Sequence, residues 1–329
     1  MSADSTPTGN GAEGFADLAD PYRGELLAHC YRMVGSIHDA EDLVQETLLR
    51  AWRGYDRFDG RSSLRTWLYR IATNACLTAL SSTHRRVLPS GLGTGAPDSA
   101  SADLRRLDEI AWLEPAPTSQ LTSRPTDPAT IVALRDTTRL ALIAAFQRLP
   151  ARQRAALILV DVAGYTPAEV AQLLDITVTA ARSLLQRARL TLAEDKPVSD
   201  RIAPSPELDL KLLNRYLHAF ETADTEALAR LLAEDVRYEM PPVRVWFAGR
   251  EAVLDHHARR VFTWEHRGMV TSANGYPALA TYTKTAKGTY TAHAIQVVET
   301  EAGVINQVTV FLGQRLFPTF GFPLSLPAG

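Results

Sequence analysis

Residues 149–192 read LPARQRAALILVDVAGYTPAEVAQLLDITVTAARSLLQRARLTL, and their capping and spacing leave few arrangements open. Thr166-Pro167-Ala168-Glu169 is a capping box with proline at the first helical position, so a helix starts there. Val170, Ala171, Leu173 and Leu174 make its inward stripe, Asp175-Ile176 breaks it, and Thr177 caps the next helix. In that second helix Val178, Ala181, Leu185, Ala188 and Leu192 recur at three and four residues and define a buried face. Opposite lie Thr179, Arg182, Ser183, Gln186 and Arg189, short polar residues followed by arginines. This is the pattern of a helix-turn-helix, whose second helix sets such side chains against base edges and phosphates in the major groove. An ordinary helix pair with a solvated charged face is the alternative. Agreement between caps and facing favours the DNA-binding reading.

The 329 residues suffice for two or three domains, and 46% hydrophobic with 22% charged residues is the balance of a soluble globular protein. No apolar run is long enough to span a bilayer, and Met1–Gly14 lacks a basic start or hydrophobic centre. The expectation is a cytoplasmic protein with no membrane partner. Cys30 and Cys76 lie on apolar helix faces without metal-ligand spacing and read as buried thiols. Charge is uneven: residues 130–193 carry eight arginines against four acids, while residues 207–329 carry twelve basic against thirteen acidic. That distribution suits a DNA-facing segment joined to a neutral domain.

Residues 1–13 read as a disordered tail before a module at 14–86, whose pattern is helical throughout from Asp20 to about Arg86. Ser36 to Asp39 opens a helix through DAEDLVQETLLRAW, with Leu43, Val44, Leu48, Ala51 and Trp52 inward and Asp39, Glu41, Asp42, Gln45 and Glu46 outward. Acids in a first turn also complement the helix dipole, so alone they do not identify a site. The next loop and helix interleave Tyr55, Phe58, Trp67 and Tyr69 with Arg53, Arg57, Arg61, Arg65 and Arg70. Planar side chains stack on unpaired bases while guanidinium groups hold phosphates. On spacing alone, Trp67 reads as core. Residues 87–128 read as a linker interrupted by a short helix at Asp103–Glu114, and residues 130–148 read as the lead helix of the 129–193 module. Residues 194–206 form a second linker before a domain at 207–329.

With both segments in view the chain resembles bacterial extracytoplasmic-function (ECF, group IV) sigma factors of the sigma-70 family. DAEDLVQETLLRAW, FDGRSSLRTWLYRIATNACL and the 149–189 stretch look like that family's regions 2.2, 2.3–2.4 and 4.1–4.2. The resemblance implies that core RNA polymerase is held by Asp39, Asp42, Leu43, Gln45 and Glu46. It gives the −10 element to Phe58, Arg61, Ser62, Ser63, Trp67, Arg70 and Asn74, and the −35 element to Thr179, Arg182, Ser183, Gln186 and Arg187. Family members often carry Val then Lys or Asn before the serine, where this chain has Ala181-Arg182, a change that shifts the preferred −35 sequence. Core RNA polymerase and promoter DNA are the expected partners, and no cofactor or catalytic residue is expected.

In residues 207–329, helices at Leu210–Ala223, Thr225–Ala233 and Gly249–Val261 and strands at Val236–Met240, Met269–Ala273, Ala278–Thr283, Tyr290–Glu299 and Val304–Leu312 predict an α+β cone. It resembles the SnoaL-like branch of the NTF2-like fold, so the expected whole is two all-α sigma domains followed by that cone. Trp112-Leu113-Glu114-Pro115 and the tail LFPTFGFPL resemble parts of sigma factors so extended. Related cyclases place a carboxylate base on the first strand before a proline, and the matching position here is Met240, which cannot take a proton from carbon. Alternation turns Glu239 to the other face. Tyr216, Tyr238, Met240 and Trp246 are candidate pocket residues, joined by His256, His257, Trp264 and His293, with plain packing as the alternative for each. The function expected is promoter recognition and melting, with the last domain a fused regulator packed across the sigma domains. Two alternatives are a helix-turn-helix regulator with a ligand-sensing domain, and a SnoaL-like cyclase or isomerase tethered to a DNA-binding arm.

Overall fold

The computed structural model describes residues 10–82, 85–121, 137–194 and 206–328. Its contacts divide into two compact units. One draws on Met1–His84, Gln120–Leu134 and Ala145–Glu194, the other on Arg85–Ser119, Arg135–Ala144 and Asp195–Gly329.

The helical unit contains α1 (Asn10–Ala19), α2 (Arg23–Val34), α3 (Ile37–Gly54) and α4 (Leu64–Leu80). The end of α5 (Leu140–Arg148), then α6 (Ala151–Leu157), α7 (Pro167–Leu173) and α8 (Val178–Glu194) complete it. The caps are those the sequence marks. Ser36 Oγ accepts from Asp39 N at 3.1 Å, and Ser63 Oγ accepts from Thr66 N at 3.1 Å. At α7 the box is reciprocal, with Glu169 N donating to Thr166 Oγ1 at 3.3 Å and Thr166 N donating to Glu169 Oε2 at 2.7 Å. Ala180 N donates to Thr177 Oγ1 at 3.2 Å to start α8. Between α6 and α7 the chain widens into a π-turn at Ile158–Val162, a feature that spacing did not announce. Cys30 and Cys76 are buried free thiols, and a hydrogen bond between them together with burial pushes the Cys76 thiol up.

One buried side chain ties the two halves of this unit. Arg154 on α6 is 4% exposed and donates to Gln147 Oε1 at 2.6 Å, to the Gln147 and Leu149 carbonyls at 3.1 Å each, and to the Met33 carbonyl at the end of α2. At another edge Arg65 of α4 donates to Glu25 at 2.9 Å and to the Ala163 carbonyl at 3.3 Å, and its guanidinium lies over Tyr69 and Tyr165. The segments read as separate modules at 14–86 and 129–193 therefore share one packed interior.

The second unit is built on a mixed seven-stranded sheet in the order β2-β1-β6-β5-β4-β3, with β7 on the end of β5. Its strands are β1 (Leu232–Glu239), β2 (Trp246–Ala248), β3 (His266–Ala273), β4 (Tyr276–Lys284), β5 (Tyr290–Glu301), β6 (Val304–Leu312) and β7 (Ser325–Leu326). Only β1 and β6 run parallel, and register shifts in β1, β4 and β5 bend the sheet. Helices α9 (Pro206–Glu221), α10 (Thr225–Leu231) and α11 (Arg250–Arg259) cover one face. There Tyr216, Phe220, Leu231, Val236, Tyr238, Phe247, Val298 and Val308 pack into the core. The α+β cone is as expected. β2 and β7 were not anticipated, being too short to show alternation.

Two linker expectations need correction. Asp103–Glu114 is not helical; it runs as turns and extended chain, with Leu107 N donating to the Pro242 carbonyl at 2.9 Å and Arg106 bridging Val243. Edge hydrogen bonds from the sheet overrode weak helical spacing. The lead helix begins only at Leu140, since Thr137–Arg139 are turn and irregular chain; residues 130–136, like most of 1–13, 122–128 and 194–206, lie outside the described residues.

Replacing Arg154 with Met strands the carbonyls of Met33, Gln147 and Leu149 in the interior. The helical unit is expected to lose about 3 kcal/mol in urea unfolding, whereas Arg152→Met on the exposed side of α6 changes it by less than about 0.5 kcal/mol.

Candidate functional site

The outward face of α3 carries Asp42 and Gln45 exposed, with Asp39, Leu43 and Glu46 half-buried at its margin. Beneath it Ile37, Ala40, Val44, Thr47 and Ala51 are buried, which fixes the direction of the acidic stripe. Glu46 pairs with Arg50 one turn on, at 2.6 Å. The stripe continues into Leu49 and Trp52, 39% and 49% exposed. Trp52 was expected inward. Its position three residues beyond Leu49 places both on the acidic stripe, and an acidic helix face ending in exposed large apolar side chains has the makeup of a protein-binding surface.

After α3, Tyr55, Phe58 and Trp67 gather their rings. Phe58 and Trp67 have centroids 5.0 Å apart, and Tyr55 and Phe58 stack at 6.3 Å with planes 14° apart. Trp67 is half-buried rather than core, because the neighbour it packs on is itself a surface ring. Arg61, Ser62, Ser63, Arg70 and Asn74 are exposed around this cluster. Two of them already have local work: Ser63 caps α4, and Arg61 pairs with Asp59, holding that carboxyl below its usual range.

On α8, Thr179, Arg182, Ser183, Gln186 and Arg187 are all exposed, while Ala181, Leu185 and Ala188 are buried against the unit. Val178, expected on the inward face, is exposed at the helix start. Arg189, which helical facing set with Thr179, Arg182, Ser183 and Gln186, is held by Asp161 at 2.6 Å.

In the second unit a cavity of about 420 Å³ opens within the cone. It is lined by Tyr238, Met240, His256, Trp264, His293 and Gln296, among others. Of the four candidate pocket residues, Tyr238 and Met240 line it. Tyr216 and Trp246 do not. Tyr216 stands behind the wall, donating to Gln296 Oε1 at 2.8 Å, and Trp246 turns away to donate its Nε1 to the Gly93 carbonyl at 3.0 Å. His257 is buried beside the cavity without lining it, its Nδ1 on the Val253 carbonyl at 2.8 Å. Burial first, then the neighbouring charges of His257 and Arg260, pushes His256 down to about 3; burial alone heads the causes that bring His257 to about 4.

Glu239 was expected to point away from the cavity, and it does, yet it is 1% exposed. It accepts from Ser90 N at 3.0 Å and from Gln307 Nε2 at 3.4 Å, and burial raises its carboxyl above the ordinary range. Its cover is residues 87–117, a strap laid over the sheet. Along it Ala96 N donates to the Trp246 carbonyl at 2.7 Å, Ser99 N to Asp255 at 3.1 Å, and Ala116 N to Asn274 Oδ1 at 3.0 Å. Gly95 lets the strap approach, since a Cβ there would sit 3.3 Å from the Trp246 ring and from Ala248. Composition made this stretch look like a free linker; the signal missed was Asn274-Gly275, a tight β3–β4 turn whose buried asparagine grips the strap.

Family models for Sigma-70 region 2, Sigma-70 region 4 and a SnoaL-like domain match residues 18–86, 139–192 and 213–308. The ECF RNA polymerase sigma factor SigG of Mycobacterium tuberculosis is 48% identical over 318 residues, covering 95% of this chain and 85% of that one. The chain belongs to the ECF RNA polymerase sigma factors. SigJ of the same organism is 30% identical over 217 residues, 66% of this chain and 61% of its own. The SigJ crystal structure shares the fold at TM-score 0.60, with 22% identity over 94% of this chain and 99% of that one. As a sigma factor the chain directs RNA polymerase to promoters, through helical sigma domains followed by an α+β SnoaL-like domain.

The buried histidines give this sigma factor an acid-sensitive C-terminal domain. Both His256 and His257 stay neutral when folded and take up protons on unfolding once pH falls below about 6.5. Their folded values are depressed, so the stability they carry is present above pH 6.5 and is lost as pH falls towards 4 and then 3. Calorimetry at pH 7 and pH 5 should show the second unit weakened by on the order of 2 kcal/mol per histidine, lessened by whatever protonation Glu239 contributes in the opposite sense.

Proposed function

We propose that the acidic stripe of α3 holds core RNA polymerase, that the ring cluster at the start of α4 captures the opened −10 strand, and that α8 reads the −35 element. The polymerase contact uses Asp39, Asp42, Leu43, Gln45 and Glu46, extended by Leu49 and Trp52. Melting falls to Phe58 and Trp67, with Arg61, Ser62, Ser63, Arg70 and Asn74 around them, because flipped bases stack on rings flanked by guanidinium groups. The observation that carries the reading is on α8. Its five reader side chains are exposed on one face, while the opposite face is buried. Arg189, the other basic residue of that segment, is occupied by Asp161. The site of action is the cytoplasm, where the promoters are.

The C-terminal domain acts as a regulator by holding the strap, the chain that joins the region 2 module to the region 4 module. Catalysis is no part of its role. The 420 Å³ cavity is lined by no Asp or Glu, Met240 stands at the base position, and its histidines are held too low to take a proton from carbon.

The test is run-off transcription with core polymerase on a promoter selected with this chain. Arg182→Ala is expected to lower output about tenfold on the intact promoter and little on one whose −35 element is scrambled. Asp42→Lys with Glu46→Lys should abolish co-elution with the core enzyme and leave far-ultraviolet dichroism unchanged. Wild-type output from either variant would refute the assignment it probes.

A further inference from the structure

The cavity wall includes a residue from outside the SnoaL-like segment. Leu104, on the strap, lines it together with Phe220, Met240, Val243, Val310 and Leu312. The strap is fastened on both sides of Leu104, and each fastening lies at a cavity residue. On one side Ser99 Oγ bonds His256 Nδ1 at 3.2 Å. On the other Arg106 bridges Val243, next to the bond from Leu107 N to the Pro242 carbonyl. The space is then bounded partly by the strap, and a molecule set against Leu104 touches that segment.

The lining also states what fits. Its volume suits a small organic molecule, and its walls are mostly apolar. Its charge is one-sided: Arg259 and Arg260 line it and no carboxylate does. Arg259 is already engaged by Asp255 at 2.5 Å, so Arg260 at the rim is the guanidinium for an anionic end. The imidazoles of His256, His266 and His293 stay neutral through burial and contribute hydrogen bonds rather than charge. Gln296, with its oxygen taken by Tyr216, retains its amide nitrogen as a donor.

We propose that this cavity binds a small carboxylic acid with an apolar, ring-sized body, its carboxylate at Arg260 and its body against Leu104, so that the bound acid holds the strap in place. A ligand that touches the docked strap and loses that contact when the strap lifts must favour the docked state by the difference. The inference deepens the regulatory reading of the C-terminal domain. Its test uses no polymerase, so its failure is separate from any failure of that reading in transcription.

The probe is 2-naphthoate, with neutral 2-naphthamide as its isostere, titrated calorimetrically into the full chain at pH 7. Naphthoate is expected to bind at least about tenfold more tightly than the amide, and Arg260→Gln, an exposed change, should erase that difference. Trypsin reports the strap, because Arg105 lies between its two fastenings and Arg106 within the second, and cleavage there needs the strap to lift. Saturating naphthoate should slow that cut several-fold, and Leu104→Ala should remove most of the protection. Equal binding of acid and amide, no binding of naphthoate, or bound naphthoate with an unchanged strap cut would each overturn the proposal.

Discussion

A guanidinium in a protein interior is tolerated only where its N–H groups find acceptors, since desolvating the charge costs several kcal/mol otherwise. Arg154 sets its terminal nitrogens, Nη1 and Nη2, on carbonyls from two distant stretches of chain, Met33 at the end of α2 and Gln147 and Leu149 just ahead of α6. With Gln147 Oε1 the α5–α6 corner supplies three acceptors, and Met33 supplies the fourth. The charge therefore demands that the end of α2 and the α5–α6 corner stay together, and the rest of the helical unit is packed around that demand. Arg65 repeats the device less deeply, bridging Glu25, Tyr69, Tyr165 and the Ala163 carbonyl. The inward faces of α2, α4 and α6 are spent in this seam. What remains outside is the acidic stripe of α3, the rings before α4 and the polar face of α8, so the packing itself sorts structural residues from those available to partners.

The second unit rests on a related constraint. A sheet face that carries a carboxylate needs a cover with donors, and a strap of ordinary loop composition provides one. Glu239 receives Ser90 N, Asn274 exchanges bonds with Ala116 through its backbone and side chain, and Thr138 gives its carbonyl to Asn274 Nδ2 at 2.7 Å. These are backbone groups of the strap and of the chain that follows it. They bind through extended geometry, which is why the segment gave up the helix that its apolar spacing would allow. A stretch of thirty-odd residues rich in Pro, Ser and Gly then becomes part of the cone, although nothing in its composition differs from a tether.

The features legible in the sequence are those decided within a few residues. The cap at Ser36, the capping box at Thr166, the break at Asp175 and the alternation of β4 to β6 are local, and each lies where its residues place it. The exposure of Thr179, Arg182, Ser183 and Gln186 follows from helical facing, whereas Arg187 came in only through the family resemblance. What was not legible depends on partners far along the chain. Trp52 has the spacing of a core residue, but α1 and the loop before α2 leave it beside an open groove instead of under a lid. Tyr216 and Trp246 have the character of pocket residues; one is drawn behind the wall by Gln296 and the other outward by the strap carbonyl of Gly93. Arg154 in a run of alanines reads as one more surface arginine until Met33 is brought beside it.

Glu239 closes β1 and Met240 follows it directly. Alternation puts neighbours on opposite faces, so a carboxylate and a thioether side by side cannot exchange roles without a slip of the whole strand. That slip is blocked: Tyr238 pairs with Phe247 on one side and Val308 on the other, and all three are buried. The Glu239 carboxylate is thus committed to the strap, on the face away from the cavity. Met240, just past β1, faces the cavity and Glu239 receives Ser90 N of the strap, so the end of this strand meets both, as Leu104 does from the strap itself.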